Sequence, residues 1–287
     1  LHILNGSRPG PRVGICAGIH GDEIIGVQVI RELWQTLDPE QLAGSIWFMP
    51  VANPLAFEAL TRNTPLDMLD LNRNFPGAED GWVSQLLAAA ITENYLRHME
   101  WWIDIHAGGT FPLVDYGMVL NDEGLSRAFL SELLYRPSGP HHHPGSTTEV
   151  AIALGIRTAV LEFGGGYEKQ AEQVGRNVRG ILNMLRYIGA LPGDVEKMPR
   201  QILLNDVKTM RPRAGGLCYP TPPQAPGTIL EGHVKLAEII NPHTFETLET
   251  IFAPFERNVV VLSRNYVTRI NPGDYMFMIG DLATAER

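Results

Sequence analysis

Apolar residues fall along the first two thirds of the chain in two alternating rhythms. Arg12–Ala17 (RVGICA), Ser45–Pro50 (SIWFMP), Trp101–His106 (WWIDIH) and Thr158–Phe163 (TAVLEF) are short, densely apolar runs, which predict buried strands. Between them the apolar positions take helical spacing. Ile25, Val29, Ile30 and Leu33 predict a helix over Glu23–Trp34, and Leu87, Ala90, Ile91 and Tyr95 predict one over Ser84–Met99. Val174, Val178, Ile181, Leu182 and Leu185 predict a third over Gln170–Ile188. Strands alternating with helices in this way predict an α/β sheet with helices on both faces. The rhythm changes near Pro192. From Gln201 onward the strands are short, and turns recur at Pro226-Gly227, Glu231-Gly232, Asn241-Pro242 and Pro272-Gly273, with no helical pattern between them. The expected organisation is an α/β domain over residues 1–197 and a small all-β domain over residues 198–287.

The bulk numbers narrow the function. A chain of 287 residues that is 44% hydrophobic can bury a full core. Charged residues make up 19%, too few for a long disordered tract. The net charge of −9, with basic residues scattered, argues against nucleic acid and anionic membranes as partners. No apolar run reaches the roughly 18 residues of a membrane span, and no signal-peptide pattern opens the chain. Cys16 and Cys218 lie far apart and form no metal-binding spacing, so a reduced, cytoplasmic protein is expected.

Four short segments concentrate the reactive side chains, each at the end of a predicted strand or in the following loop, where open α/β sheets bind ligands. In His20-Gly21-Asp22-Glu23 a histidine and a glutamate three apart can converge on one metal ion across a strand-to-helix turn. This is neither the helical H-E-x-x-H pattern nor H-x-x-E-H, since Ile24 follows the glutamate. In Asp104-Ile105-His106 the histidine ends an apolar strand and can supply a third ligand. Asp104, two residues earlier on the same face, can orient a ligand from behind. In Asp70-Leu71-Asn72-Arg73-Asn74-Phe75-Pro76-Gly77 the arginine offers a planar fork for a carboxylate, with an asparagine beside it. Glu162 stands inside an apolar strand, a costly place for a carboxylate that is neither paired nor functional, and Gly164-Gly165-Gly166 leave room beside it for a substrate. Taken singly, these segments fit a solvated loop, a core-edge histidine, a structural arginine or a buried salt bridge. Together they supply two histidines and a glutamate for a metal, a carboxylate base and a carboxylate clamp.

The order H-x-x-E, D-x-N-R-N-F-P-G, D-x-H-x-G and E-F-G-G-G resembles the succinylglutamate desuccinylase/aspartoacylase family, a branch of the zinc carboxypeptidase-like fold. The resemblance implies a mixed sheet flanked by helices, with one zinc ion per chain held by His20, Glu23 and His106. It implies Glu162 as the base that activates a zinc-bound water, and Arg62, in Leu60-Thr61-Arg62-Asn63, as the group that polarises the scissile carbonyl. Asn72 and Arg73 would grip the substrate's α-carboxylate, and Asp70 would orient a zinc histidine. The activity implied is hydrolysis of the amide bond of a small N-acyl amino acid. A zinc carboxypeptidase acting on small peptides and a non-catalytic metal-binding protein on the same fold are the alternatives. Family habit implies a homo-oligomer.

Residues Arg213–Asp281 resemble the β-barrel-like appendage of the family's bacterial deacylases, itself similar to biotinyl and lipoyl carriers. The matching hairpin, Phe245–Ile251, has no lysine, so no covalent cofactor is expected there, and the appendage is expected to wall the active site or to mediate oligomerisation. His141-His142-His143 is read as part of a Pro/Gly-rich lid rather than a metal site. Trp101, Trp102 and Cys16 are read as core, and Tyr116 and Tyr167 as alternative substrate contacts.

Overall fold

The computed structural model describes residues 1–138, 143–165, 170–221 and 224–286. The first part alternates strands and helices: β1 (His2–Asn5), β2 (Arg8–Cys16), α1 (Ile24–Thr36), β3 (Ala43–Met49), α2 (Pro54–Ala59), α3 (Val83–Asn94) and β4 (Trp101–His106). It continues with β5 (Leu113–Met118), α4 (Glu123–Arg127), β6 (Leu133–Tyr135), α5 (Thr147–Ala153), β7 (Arg157–Gly164) and α6 (Gln170–Ile188). The described residues beyond are all strand and turn: β8 (Ile202–Leu204), β9 (Val207–Met210), β10 (Gly216–Pro220), β11 (Ile229–Glu231), β12 (Lys235–Ile240), β13 (Thr247–Phe252), β14 (Arg257–Ser263), β15 (Thr268–Ile270) and β16 (Phe277–Asp281).

The main sheet runs β1-β3-β2-β4-β7-β5-β14-β16-β9. Its centre, β3-β2-β4-β7, is parallel, while β1 flanks it antiparallel on one side and β5, β14, β16 and β9 follow antiparallel on the other. A separate four-stranded sheet, β13-β12-β10-β15, lies in the C-terminal part. Parallel strands covered on both faces need apolar residues at most positions, which is why the buried end of β2 (Val13–Cys16), β4 and β7 read as densely apolar runs. Alternation then sorts the side chains. Val13, Ile15, Ile103, Ile105, Leu161 and Phe163 pack with Ile25, Val29 and Leu33 of α1 and Ile181 and Leu185 of α6. Cys16 and Trp102 face the other way, against Ala88 and Ile91 of α3 and Ala151 of α5. Asp104, His106 and Glu162 have the parity of that second face.

Two departures from the periodicity have local causes. The apolar stripe over Ser84–Met99 is α3 only as far as Asn94, followed by a 3-10 turn at Leu96–His98. Tyr95 breaks the helix (φ −133°, ψ −66°), and its buried hydroxyl donates to the carbonyls of Ile15 (3.2 Å) and Trp47 (2.5 Å), tying the turn to the sheet. The short helices α2 and α5 carry too few turns for a periodic signal. Each is started by a side-chain cap, Asn53 accepting from the Ala56 amide and Ser146 from the Glu149 amide. Among the described residues no helix is long and apolar enough to cross a membrane.

Candidate active site

The C-terminal ends of β2, β4 and β7 and the loops beyond them bring His20, Glu23, His106 and Glu162 to one cavity of about 650 Å³. His20 and Glu23 sit in the tight connection from β2 to α1. Gly21 lets that connection pass close to α2, since a Cβ there would lie 1.9 Å from the Ala56 carbonyl oxygen.

Glu23 is the hub. Its Oε1 lies 2.7 Å from His20 Nδ1 and its Oε2 lies 3.1 Å from His106 Nδ1, so one buried carboxylate addresses both rings through the same kind of nitrogen. Each ring's other nitrogen faces an aspartate. Asp70 Oδ1 is 3.2 Å from His20 Nε2, and Asp104 Oδ2 is 3.4 Å from His106 Nε2. The Ala107 amide also donates to Glu23 Oε2 at 3.0 Å. Asp70 and Asp104, read from sequence as orienting groups, thus each stand behind a histidine.

His20, Glu23 and His106 are buried, and one donor atom from each lies within 4.8 Å of the others. The arrangement suits a metal in three respects. The donors are imidazole nitrogen and carboxylate oxygen, both histidines turn equivalent nitrogens toward the shared carboxylate, and both are held from behind by acids. The cluster also draws positive charge. Burial disfavours a charged His106, yet Asp104 and Glu23 hold its pKa well above the ordinary value. Burial likewise pushes Glu23 up, but His20 and His106 keep it well below the usual carboxylate range.

Glu162 is placed by strand register. It pairs directly with His106 across β4–β7 and with Tyr116 across β7–β5, forming a row of three side chains on one sheet face. Burial raises its carboxyl to about 7, with the Glu23 charge adding to the rise against the opposing pull of His106, His20 and Arg62. Burial and the nearby Glu162 charge hold the Tyr116 phenol well above its usual range.

Arg62 reaches in from the loop after α2 and is about half exposed. It donates to Asp70 Oδ2 at 3.0 Å and lies 3.4 Å from His20 Nδ1 and 3.6 Å from Glu23 Oε1. Asn72 and Arg73 belong to a 3-10 turn (Leu71–Arg73) in which the Asn72 amide donates to Asp70 Oδ1 at 2.9 Å. The Asn72 side chain is buried beside the centre, its Nδ2 lying 3.3 Å from His106 Nε2. Arg73 is more exposed. It donates to the Asn72 carbonyl at 2.7 Å and lies 3.5 Å from His143 Nδ1. The nine residues given metal, catalytic, substrate-binding or orienting roles from the sequence therefore line this cavity or stand directly behind the centre. His141, His142, Gly166 and Tyr167 lie outside the described residues.

Thr147 was not visible as a site residue. It opens α5, donates its hydroxyl to Asp104 Oδ2, and gives its amide to Asn72 Oδ1 at 3.0 Å. The only sequence signal was the helix start Ser146-x-x-Glu149, which announces a cap but not what the next hydroxyl touches. Gly165, after Glu162, also differs from expectation. A Cβ on Gly165 would lie 1.9 Å from the Pro112 carbonyl oxygen, and Gly165 has φ +116°, so the turn is crowded by the 108–112 loop rather than open to a substrate.

A mixed α/β sheet with a buried His-Glu-His centre at its strand ends defines the class of protein. The pattern of the succinylglutamate desuccinylase/aspartoacylase catalytic domain matches residues 9–188, and the chain belongs to this family. It is 27% identical to the N-α-acetyl-L-2,4-diaminobutyric acid deacetylase of Halomonas elongata, over 95% of this chain and 83% of that one. Its fold is similar to that of a succinylglutamate desuccinylase/aspartoacylase from Rhodobacter sphaeroides (TM-score 0.82, 24% identity, 97% of this chain and 88% of that one). It is equally similar to the product-bound ectoine utilization protein EutE of Ruegeria pomeroyi (TM-score 0.83, 23% identity, 97% and 87%).

Proposed function

We propose that this chain is a zinc-dependent amidohydrolase that removes the acyl group from an N-acyl amino acid or a close derivative. The observation that carries the reading is the row His106–Glu162 beside the doubly addressed Glu23, inside a cavity that also receives Arg62, Asn72 and Arg73. The deacetylase activity named for the Halomonas relative supports an N-acylated amino acid as the substrate class.

His20, Glu23 and His106 would hold the ion. Bound there, zinc supplies Lewis acidity, lowering the pKa of water from about 15.7 toward about 7 and polarising the substrate carbonyl. Glu162 takes a proton from the attacking water and returns it to the departing nitrogen, held beside His106 by the β4–β7 register. Arg62 stabilises the negative oxygen that develops on the carbonyl, and its guanidinium already stands beside the centre. Asn72 and Arg73 grip the α-carboxylate. Asp70 and Asp104 fix the two rings and raise their basicity. Both cysteines are free and buried, which supports a reducing, cytoplasmic setting.

The test is elemental analysis coupled to amine release from a panel of N-acyl amino acids. About one zinc per chain and turnover of a panel member is expected. Carefully prepared protein that neither contains zinc nor takes it up would remove the reading.

A further inference from the structure

The cavity does not end at the polar centre. The face that carries His106, Glu162 and Tyr116 continues across the sheet toward β16. Val160, two residues before Glu162, pairs with Met118, and Gly164 pairs with Val114. Val114 pairs in turn with Leu262 of β14, and Leu262 with Met278 of β16. Direct pairing puts each couple on one face of the pleat, so Val114, Met118, Val160, Leu262 and Met278 form a continuous apolar floor beside Glu162. All five line the same cavity as the polar centre and all are buried. Three strand steps separate β7 from β16, roughly 14 Å at the usual spacing.

Among the described residues, the arginines along this end are already engaged. Arg136 donates to Glu123, Asn205 and Glu286 at 2.8–2.9 Å. The Arg264 guanidinium donates to the Tyr275 carbonyl at 2.9 Å and to Thr268 Oγ1 and the Arg269 carbonyl at 3.3 Å, faces Asp274 and lies over the Phe111 ring. Asn121 is spent on the backbone, donating to the Ile156 carbonyl and accepting from the Thr158 amide. A second carboxylate, such as that of a succinyl group, would find its cationic partners here occupied. An aliphatic or aromatic group would find an apolar floor.

We propose that this floor is an apolar subsite and that the substrate carries a hydrophobic group of about four to six carbons next to the amide that is cleaved. The proposal rests on the deacylase reading and deepens it. The same chemistry can come from the acyl chain or from the amino acid side chain. In both cases it is the strands beyond residue 198 that complete the pocket, because Leu262 and Met278 belong to them.

Two series distinguish the sources, both run on the zinc-loaded full chain. The first lengthens the acyl group on L-alanine from acetyl to butanoyl to hexanoyl. The second enlarges the side chain of N-acetyl amino acids from alanine to norleucine to phenylalanine. N-succinyl-L-alanine and N-acetyl-L-2,4-diaminobutyrate serve as polar controls. The ratio of kcat/KM between the largest and smallest apolar members is expected to reach about tenfold or more in one series, which names the source. In Met278→Trp, which fills the floor, and in Leu262→Asn, which makes it polar, that ratio is expected to collapse toward one. Hexanoate or norleucine, whichever matches the responding series, is expected to inhibit wild type more strongly than acetate or alanine. Circular dichroism and Tm show whether each variant is folded, and either folded variant suffices.

Turnover of the polar controls with flat or falling ratios in both series would overturn the subsite while leaving the deacylase reading intact. A rise that both folded variants preserve would also overturn it. No amine release from any compound, with zinc bound, would remove both readings together.

Discussion

Glu162 stands directly opposite His106 in the parallel pairing of β7 with β4, so the proposed base and a proposed metal ligand are neighbours by hydrogen-bond register rather than by sequence. Fifty-six positions separate them in the chain (162 − 106). The sheet fixes their spacing without any loop having to be ordered, which makes Glu162 the sharpest place to test the mechanism.

Glu162→Gln keeps the shape and removes the base. Turnover is expected to fall by about two to four orders of magnitude, with zinc content unchanged. Paired kinetic and elemental measurements decide the point. Unaltered kcat would exclude Glu162 as the proton carrier.

The same substitution gives a stability prediction with a definite pH sign. The folded-state pKa of Glu162, about 7, lies above the ordinary value of 4.5. Below 4.5 the carboxyl is neutral in both states and costs nothing. Between 4.5 and 7 the unfolded chain ionises first, so folding loses stability, and above 7 the loss is complete, on the order of 3 kcal/mol. Metal-free Glu162→Gln should therefore melt higher than metal-free wild type at pH 8, with the gain shrinking toward pH 4.5. A gain equal at both pH values would show that ionisation of Glu162 is not its source. In the zinc-loaded enzyme a nearby dication favours the carboxylate, so the acid limb of kcat/KM should lie below about 7.

Thr147 is expected to act through the groups it holds. Thr147→Val removes the hydroxyl that donates to Asp104, leaving a buried carboxylate behind His106 with one partner fewer. Zinc affinity is expected to fall about 10–100-fold, the usual effect of losing an outer-shell partner. Thr147→Ser should restore it. Competition with a chromogenic chelator measures this without reference to turnover, and wild-type affinity in the valine variant would show the contact to be incidental.

Arg73→Ala should mainly raise KM for substrates with a free α-carboxylate and leave their methyl esters little affected. Asn72→Ala should behave differently, because Asn72 also touches His106 and the Thr147 amide and so also supports the metal centre. Equal effects on acid and ester for Arg73→Ala would remove the clamp.

Much of the catalytic region was legible from sequence because its chemistry sits at strand ends. β4 and β7 are apolar runs that end on His106 and run through Glu162, and both were recognisable from composition and length alone. The Asp70–Gly77 segment carried its own signature, and the cluster His20–Glu23 occupies a loop that only a strand-to-helix turn could shape. Arg62 had little motif around it, yet it reaches Asp70 and His20. What stayed hidden was contact between elements too short to have a period. Thr147 meets Asp104 and Asn72 from a helix of seven residues, and the floor formed by Val114, Leu262 and Met278 depends on which antiparallel strand follows which.

The sequence by itself determined the α/β alternation of the first part, the all-β character of the C-terminal part and the candidate site residues. These follow from local periodicity and from side-chain chemistry, which neighbours in the chain suffice to reveal. Only the tertiary structure decided that β14 and β16 extend the catalytic sheet, that Glu23 addresses two histidines from opposite oxygens, and that an apolar floor adjoins Glu162. Those are matters of strand order and register. Antiparallel strands of similar apolar composition can pair in many orders, and burial across the whole sheet, not any local signal, selects one.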